Sequence, residues 1–589
     1  MAQEAPAPSI FTLNTQPGVR RDGTVLDSRF YNDAQWVRFQ RGRPRKIGGY
    51  RLMTDLLLGT PRAISVDAGG GINTANVFGT NEITQLAFDV NGNAGGVNVR
   101  SPAGFVPSSL YTWQTDTMFN SSGGGGGAIL ATVTPDAENI TSSATGGVYS
   151  GDITGSAAFV AVADGGGPIV VSGGCCVLQP FLFVYGSNGL IRNSNPNDFS
   201  VATGWSGGAG LANEANVAGS KIVKGLPIRG GGQSPAGLFW ALDTLIRVNF
   251  IGGADIWRYD PISAAISVLA KNAIVENDGI YYWPGVDRFF AYNGVVQELP
   301  NDMSLNFFYD NVSKQHRNKT WAMKVPRFGE IWWFFPRGQT ATECNHALIY
   351  NVREKTWYDT PLDRSAGAPA QIFSLPIMAG GDSRAMISMP LSGVILGVFS
   401  IGQTISGATS LSVGVVRRVE STLLITVEVL SGLFVSGERV STSSGSADVS
   451  TVPAAVTLDS VWLHETGTDR IYKQEISAIR AYFETDRFNW MSGGPAEDSP
   501  AGVNYQTRVT RVEPDFVMTG NMTMRVAGTP YAQGAVDVSE EYTFDAGTEF
   551  ITLREQRREC SLVFESNVVG GTFQMGQVLL SLEPGDERG

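Results

Sequence analysis

Residues 550–589 read FITLREQRRECSLVFESNVVGGTFQMGQVLLSLEPGDERG, and they decide the fold class. Polar and apolar residues alternate at the start of this stretch, and an apolar segment returns at 562–564. Gly570 and Gly571 then mark a tight turn before another apolar segment. Alternating segments bounded by glycine are typical of short β-strands joined by turns. The stretch predicts a β-meander within a C-terminal β domain over 505–589.

The rest of the chain has the same character. It has 589 residues, of which 71 are glycine and only 17% are charged. Short apolar or alternating segments recur between glycine, asparagine, aspartate and proline, whereas few windows keep a helical period over three turns. This pattern predicts a mainly β protein of several domains. No apolar run reaches the roughly 18 residues of a membrane-spanning helix, and no signal peptide is visible. We therefore expect synthesis in the cytosol, with neither export by a signal peptide nor a membrane span.

The first sixty residues concentrate positive charge in a chain whose net charge is −12. Between positions 20 and 51, nine arginine and lysine residues stand against three aspartates. Prolines are frequent here and favour an extended segment. Blocks of like charge often serve as interaction tails, so we predict docking onto an acidic partner or DNA. The alternative is a solvated, extended segment with scattered charges and no partner. The candidate contact residues are Arg20, Arg21, Arg38, Arg41, Arg43, Arg45 and Lys46.

The middle of the chain contains repeated meanders of three or four strands. Within 236–362, three units of about 40–50 residues each end in an aromatic strand followed by Asn or Asp. Asn293-Gly294 is a strong hairpin signal in the second unit. Repeated four-stranded meanders with aromatic markers predict the blades of a β-propeller. Residues 391–460 differ, since they have few aromatic residues and contain an internal repeat in which FSIGQTI at 399–405 matches FVSGERV at 434–440.

These patterns predict a mainly β fold with a β-propeller, an inserted small β module, a C-terminal β domain and an extended N-terminal arm. The predicted segments are an extended basic arm at 1–60, propeller blades with glycine-rich insertions at 61–390, the inserted β module at 391–460, a return to the propeller at 461–490, a linker at 491–504 and the C-terminal β domain at 505–589.

Both ends of the chain resemble a known family. The segment WVRF at 36–39, followed by GRPRKIGGY at 42–50, is similar to the N-terminus of the tail-hub proteins of short-tailed bacteriophages. The segment EQRRE…FESNVVGGTFQMG…EPGDER near the C-terminus resembles the end of the same proteins, which are also called nozzle or packaged-DNA-stabilisation proteins.

The resemblance implies a structural virion protein of the phage tail. It implies a homo-hexameric ring that extends the DNA channel below the portal and adaptor proteins, retains the packaged DNA and lets it pass on ejection. Tail fibres, spikes or tip proteins would be further partners. The DNA would pass without sequence-specific binding, which suits an acidic body because phosphate neutralisation supplies most affinity for DNA.

Motifs for catalysis and metal binding are weak. The three histidines lack metal-ligand spacing, and neither a Cys-x-x-Cys pair nor a nucleophile elbow occurs. Acids near aromatic residues, such as Asp287 and Glu298, are expected by chance among 55 acidic residues. We therefore predict no catalytic residue, no metal, no cofactor and no enzymatic activity.

Two other functions stay open at this point. The first is a peripheral receptor-binding or glycan-degrading tail protein, which would need an exposed groove with aromatic residues and two carboxylates. The second is a cellular β-propeller that acts as a binding module or a hydrolase.

Overall fold

The computed structural model describes residues 9–25, 28–69, 72–120, 126–135, 141–205, 210–228, 235–253, 255–490, 505–531 and 534–587. The prediction of a mainly β protein is confirmed, because strands dominate and the described residues contain a single short α-helix, Leu305–Asn311. The chain forms two compact units. Unit 1 comprises Met1–Arg51, Ser267–Asp363 and Leu463–Gly589, and unit 2 comprises Leu52–Ile266 and Arg364–Trp462.

Unit 2 contains consecutive antiparallel sheets whose strands follow the order of the chain. The strands of the first sheet are Pro61–Gly69, Ile72–Gly79, Ile83–Phe88 and Ala94–Val99. Those of the second are Tyr111–Asn120, Gly126–Pro135, Gly146–Asp152 and Val160–Ala161. The short strand Val170–Val171 also pairs with Gly146–Asp152, and a separate small hairpin consists of Ala163–Asp164 and Gly167–Pro168. Those of the third are Gly174–Leu178, Phe181–Tyr185, Leu190–Asn193 and Asn213–Asn216, with a 3-10 turn at Ser187–Gly189. Those of the fourth are Ile222–Pro227, Ala236–Ala241, Leu245–Phe250 and Trp257–Ser263.

Neighbouring sheets of unit 2 share apolar layers. The first strand of each sheet contacts the first strand of the next. Phe183 of the third sheet lies with its ring centroid 5.6 Å from that of Phe239 and 4.8 Å from that of Trp257, both in the fourth sheet. Because both faces of such strands are covered, their sequences are continuous apolar runs rather than alternating ones. This explains why Phe181–Tyr185 is buried at every position.

The second part of unit 2 contains the inserted module. Its strands are Arg384–Gly397, Thr404–Gly407, Val413–Ser421, Leu424–Ser431, Arg439–Ser441 and Gly445–Val449. They are flanked by Ala366–Ala368, Ile377–Ala379 and Ala454–His464, the last of which runs into unit 1. The module has its own apolar cluster, in which Ile405 and Val440 are fully buried. These two residues occupy equivalent positions of the predicted internal repeat, and Ser406 pairs with its equivalent, Ser441. The repeat is therefore a pair of structurally equivalent strands.

Unit 1 contains two further antiparallel sheets in chain order and three sheets made from both ends of the chain. The first two comprise Val275–Asn277, Ile280–Pro284, Phe289–Tyr292 and Val296–Glu298, and then Trp321–Val325, Glu330–Phe335, His346–Asn351 and Thr356–Pro361. The 3-10 turns are Lys271–Ala273 and Arg317–Lys319. The N-terminal strands are Ser9–Thr12, Gln16–Val19, Phe30–Tyr31, Asp33–Gln35, Val37–Gln40, Arg43–Lys46 and Tyr50–Leu58, the last of which runs into unit 2. The C-terminal strands are Asp469–Tyr472, Glu475–Ala478, Ala481–Glu484, Tyr505–Glu513, Phe516–Thr519, Met522–Thr529, Asp537–Val538, Tyr542–Phe544, Ile551–Arg557, Glu559–Ser566, Thr572–Met575 and Leu579–Glu587.

The prediction of an extended arm over 1–60 is wrong for the part of it that the structure describes. Strand Ser9–Thr12 pairs with Leu579–Glu587. The hairpin of Val37–Gln40 and Arg43–Lys46 joins a sheet with Thr572–Met575. The physical reason is that Val37, Phe39 and Ile47 are at most 2% exposed, so apolar burial outweighs the solvation of the neighbouring charges.

The ends of the chain also modify the predicted C-terminal domain. Its strand Glu559–Ser566 pairs with Ala481–Glu484, which in turn pairs with Asp33–Gln35. Residues 505–589 are thus one part of unit 1 rather than a separate body. The predicted linker at 491–504 lies outside the described residues. Among the described residues, no helix is long and apolar enough to cross a membrane.

Candidate functional site

The predicted basic contact residues fall into internal and external groups. Arg38 belongs to the internal group, since it is only 1% exposed. Its guanidinium nitrogens lie 2.9 Å from Glu330 Oε1 and 3.0 Å from Glu465 Oε2. Trp332 and Tyr358 donate further hydrogen bonds to the Glu330 carboxylate, at 2.9 and 2.7 Å. Arg38 is therefore a buried structural cation and presents no charge to a partner.

Arg21 also forms its ion pairs within unit 1. Its Nε donates to Asp359 at 2.8 Å, and Nη1 donates to Asp33. His346 Nε2 contacts the other oxygen of Asp359 at 2.7 Å. Burial alone would raise the pKa of Asp359, but Arg21 and His346 outweigh burial and lower that pKa to about 2. Arg21 thus holds a buried carboxylate in its charged form.

Lys46 is the third internal residue. Its ammonium donates to the carbonyl oxygen of Gly571 at 2.8 Å. Burial lowers the pKa of Lys46 to about 8, although nearby Asp469 favours the charged form. Lys46 therefore ties the N-terminal hairpin to the glycine turn near the C-terminus.

Arg20, Arg43 and Arg45 are half-buried, and Arg41 is exposed. Arg41 and Arg45 converge on a cleft of about 460 Å³ in unit 1, which we call the arginine cleft. The residues that line it are Phe39, Gln40, Arg41, Arg45, Phe328, Asn351, Arg353, Glu354 and Gln574. The cleft combines the N-terminal hairpin, the 321–361 sheet and the strand Thr572–Met575.

The shape of the cleft depends on two turns that brace each other. Arg41 has a positive φ of 52°, which bends the hairpin tip. Glu354 fixes this tip by accepting hydrogen bonds from the backbone N–H of Arg41 at 2.9 Å and of Gly42 at 3.2 Å. Asn351 Oδ1 in turn accepts from the backbone N–H groups of Arg353 and Glu354, both at 3.0 Å. Backbone groups that would otherwise seek water are thereby satisfied, and the cleft is pre-formed.

The electrostatics of the cleft favour an anion. Arg41, Arg45 and Arg353 bring three guanidinium groups, whereas Glu354 is the one carboxylate in the lining. Arg45 donates to Gln40 Oε1 at 2.9 Å, and Arg353 donates to the carbonyl oxygens of Arg327 and Pro326. Within the described part of the chain, none of the three arginines forms an ion pair with a carboxylate. Their charge is therefore available to a ligand.

Of the nine residues in this lining, the sequence predicted two as contact residues, Arg41 and Arg45. Asn351, Arg353 and Gln574 lie far from the basic N-terminal segment in sequence. Gln574 reaches the cleft because it pairs with Arg45 across two strands. The N-terminal segment was predicted as an extended arm, and a pairing between strands so far apart in the chain leaves no local signal in the sequence.

Two acids named from the sequence also come together. The Arg288 guanidinium lies 2.8 Å from Asp287 Oδ2 and 3.5 Å from Glu298 Oε2. The hydrogen bond from Arg288 lowers the pKa of Asp287. A carboxylate with a lowered pKa is suited to act as a base or nucleophile and unsuited to act as a general acid.

Two of the histidines and all four cysteines lie within the packed interior. His346 is buried beside Asp359, and the ring of His464 stacks on Tyr50 at 5.1 Å. The cysteines Cys175, Cys176, Cys344 and Cys560 are free thiols, and all of them are buried. Among the described residues, no cluster of three or more His, Cys, Asp or Glu could hold a metal ion.

No protein-family model matches the chain, and no curated protein matches it either. Several solved structures are similar to it. An exo-β-1,3-galactanase from Phanerochaete chrysosporium is 10% identical over 91% of this chain and 100% of its own, with a TM-score of 0.27. An ancestral GH74 enzyme is 11% identical over 60% of this chain and 50% of its own, with a TM-score of 0.36. The extracellular domain of a putative one-component system from B. thetaiotaomicron is 9% identical over 90% of this chain and 59% of its own, with a TM-score of 0.32.

These similarities correct one prediction. The expectation that the chain is not an enzyme is contradicted, because two of these structures are glycoside hydrolases, and we withdraw it. With every TM-score below 0.5, the similarities assign no activity to this chain.

Proposed function

We propose that the chain is a structural protein of a bacteriophage tail, which forms a hexameric ring around the DNA channel between the portal and adaptor proteins and the distal fibres, spikes or tip. One observation carries the proposal: the two terminal segments that resemble tail-hub proteins fold into one joined structure. Lys46 of the N-terminal segment bonds Gly571 of the C-terminal segment, 525 residues away in sequence. Their resemblance thus concerns one structural element rather than two unrelated ones.

The glycines of the N-terminal segment fit this reading. Gly49 lies so close to the backbone of Asp469 that a Cβ atom at Gly49 would be 2.3 Å from its carbonyl oxygen. Asp469 in turn accepts a hydrogen bond from the backbone N–H of Gly570 at 2.8 Å. A side chain at Gly49 would separate the two segments. The residues that carry the resemblance are therefore those that the joint requires.

We also propose that the consecutive sheets of unit 2 are β-propeller blades. The contact of each first strand with the next first strand supports this proposal, since propeller blades pack around a common centre. A net charge of −12 lets DNA move through the ring with little adhesion, since adhesion to DNA depends on neutralising its phosphates.

Electron cryomicroscopy of the parent particle tests the ring. A small tag would be inserted at Thr422, an exposed residue in the turn between Val413–Ser421 and Leu424–Ser431. We expect tag density in a six-fold ring on the tail axis, with the untagged particle as control. Particles without any tag density would overturn the proposal.

A second candidate is a peripheral receptor-binding or glycan-degrading tail protein. The observation that favours it is the exposed carboxylate pair of Asp287 and Glu298 on Arg288. Tag density on off-axis trimers would favour this candidate and exclude the ring. In that case, loss of glycan cleavage in Glu298→Gln would show that the carboxylate pair takes part in cleavage, and unchanged cleavage would show that it does not.

A further inference from the structure

We propose that the arginine cleft binds an acidic peptide segment of a partner protein. The inference rests on the proposed function for the identity of that partner, a neighbouring tail protein, but its chemistry follows from the cleft alone. Arg41, Arg45 and Arg353 supply guanidinium groups without a carboxylate partner among the described residues. A guanidinium is a planar donor that matches a carboxylate in two parallel hydrogen bonds.

The single carboxylate of the cleft does not cancel this charge. Both oxygens of Glu354 point to the backbone N–H groups of Arg41 and Gly42. Glu354 therefore holds the hairpin tip in place and orients the arginines that leave it. A carboxylate used in this way braces the site and leaves an excess of positive charge facing the opening.

The amide side chains of the lining add neutral polar groups. Gln574 is exposed, and its neighbour across the strands is Arg45. Gln40 holds Arg45 through a hydrogen bond of 2.9 Å, which restricts the guanidinium to one direction. Such pre-organisation lowers the entropic cost of binding. The aromatic residues of the lining, Phe39 and Phe328, are at most 6% exposed and offer no free face for stacking a nucleobase.

Protein carboxylates fit the cleft better than a nucleic acid does. A nucleic-acid strand is a long polyanion, and its affinity depends on neutralising many phosphates along an extended path. Here the charge is confined to one cleft on a chain with a net charge of −12, which repels a polyanion as a whole. A short segment with two or three Asp or Glu residues reaches the arginines without that penalty.

The test uses the purified full-length chain and a fluorescein-labelled pentapeptide with three Asp and Glu residues. The same peptide with Asn and Gln is the neutral control. We expect saturable binding of the acidic peptide alone, weakened by added salt because the contact is charged. Arg41→Asn with Arg45→Gln should lower the affinity at least tenfold. Asn is chosen at position 41 because it tolerates a positive φ.

The matched control is Arg247→Asn, an exposed arginine of unit 2 outside the cleft, which should change the affinity by less than twofold. Unchanged melting temperatures would show that the variants fold. Equal binding of the neutral peptide, or undiminished binding by the double variant, would overturn the inference. Displacement of the peptide by a short single-stranded oligonucleotide at lower concentration than by unlabelled acidic peptide would assign the cleft to nucleic acid instead. The assay needs no particle, so a negative result for the cleft would leave the proposed ring untouched. Likewise, a particle without the ring would leave peptide binding by the cleft untouched.

Discussion

At the residue scale, charge in the sequence did not reveal where a residue lies. Arg38 and Arg41 belong to the same basic segment, yet Arg38 is buried between Glu330 and Glu465 while Arg41 is exposed. Alternation along the strand Val37–Gln40 would place Arg38 on the face opposite to Val37 and Phe39. All three residues are nevertheless buried. A buried arginine is explained only by the acids that approach it, Glu330 from a neighbouring strand and Glu465 from the bend after His464, since an unpaired charge there would be too costly. The sequence therefore predicted a basic segment but not which of its charges are free.

Asp486 gives a prediction at the same scale. It is partly buried and accepts a hydrogen bond from Thr15. Burial raises its pKa to about 6, and the bond from Thr15 opposes this only in part. The folded chain therefore binds a proton more tightly than the unfolded one between about pH 4 and 6, so the stability contributed by Asp486 falls as pH rises through this window. Above it, the charged carboxylate destabilises the folded state.

Asp486→Asn removes this charge and keeps an oxygen that can accept from Thr15. We expect the variant to be more stable than the natural chain at pH 7.5 by about 1–2 kcal/mol, after allowance for solvent screening, and nearly equal at pH 4. Urea unfolding of both proteins at the two pH values gives the difference. The same difference at both pH values would show that the proton of Asp486 plays no part.

At the scale of elements, the internal repeat is the feature that the sequence predicted best. The two copies, at 399–405 and 434–440, match in the apolar residues at their two ends, and the structure buries Phe399 with Phe434 in the same cluster. Periodicity succeeds here because each copy buries the same positions. The pairing of the terminal strands could not be predicted in this way, since strand alternation fixes a face and not a partner.

The repeat also contains a polar equivalence that yields a prediction. Gln403 and Glu438 occupy equivalent positions, and each accepts from a backbone N–H three residues earlier, Ser400 at 3.2 Å and Val435 at 2.7 Å. Glu438 is 3% exposed and also accepts from Ser410. Glu438→Ala would leave buried donors unsatisfied, so we expect a loss of about 1–3 kcal/mol in the free energy of unfolding.

Gln403→Ala is the matched variant, since Gln403 is less buried and water can replace its hydrogen bonds. It should cost well below half as much as Glu438→Ala. Denaturant unfolding of the two variants beside the natural chain gives both values. Equal losses would mean that the buried donors of the second copy find other partners.

At the scale of the whole molecule, the inserted module is joined to its unit by a pair of base strands and by Arg418, which donates to the carbonyl oxygen of Leu56 and forms a buried ion pair. The base is the pair of strands that ends at Ser388 and Ala454. The ion pair joins Arg418 of the module to Glu82 of the first sheet, at 2.7 and 2.8 Å. Glu82 is 6% exposed, and it also accepts a hydrogen bond from the Thr84 hydroxyl at 2.7 Å.

Replacement of 389–453 by an Asn-Gly turn should therefore have two separable effects. The turn preserves the strands at the base, since Asn-Gly favours a two-residue hairpin. The loss of Arg418, however, leaves the Glu82 carboxylate buried without its partner, at a cost of about 3–5 kcal/mol. We expect the shortened chain to melt at a lower temperature and Glu82→Gln to restore much of the loss.

In the intact chain the same substitution should destabilise the fold, because it leaves Arg418 buried without its carboxylate partner. Calorimetry on the intact and the shortened chain, each with and without Glu82→Gln, measures the change in stability. A change of opposite sign in the two chains identifies the ion pair as the coupling between module and sheet. If Glu82→Gln destabilises both chains equally, the ion pair does not couple the module to the sheet.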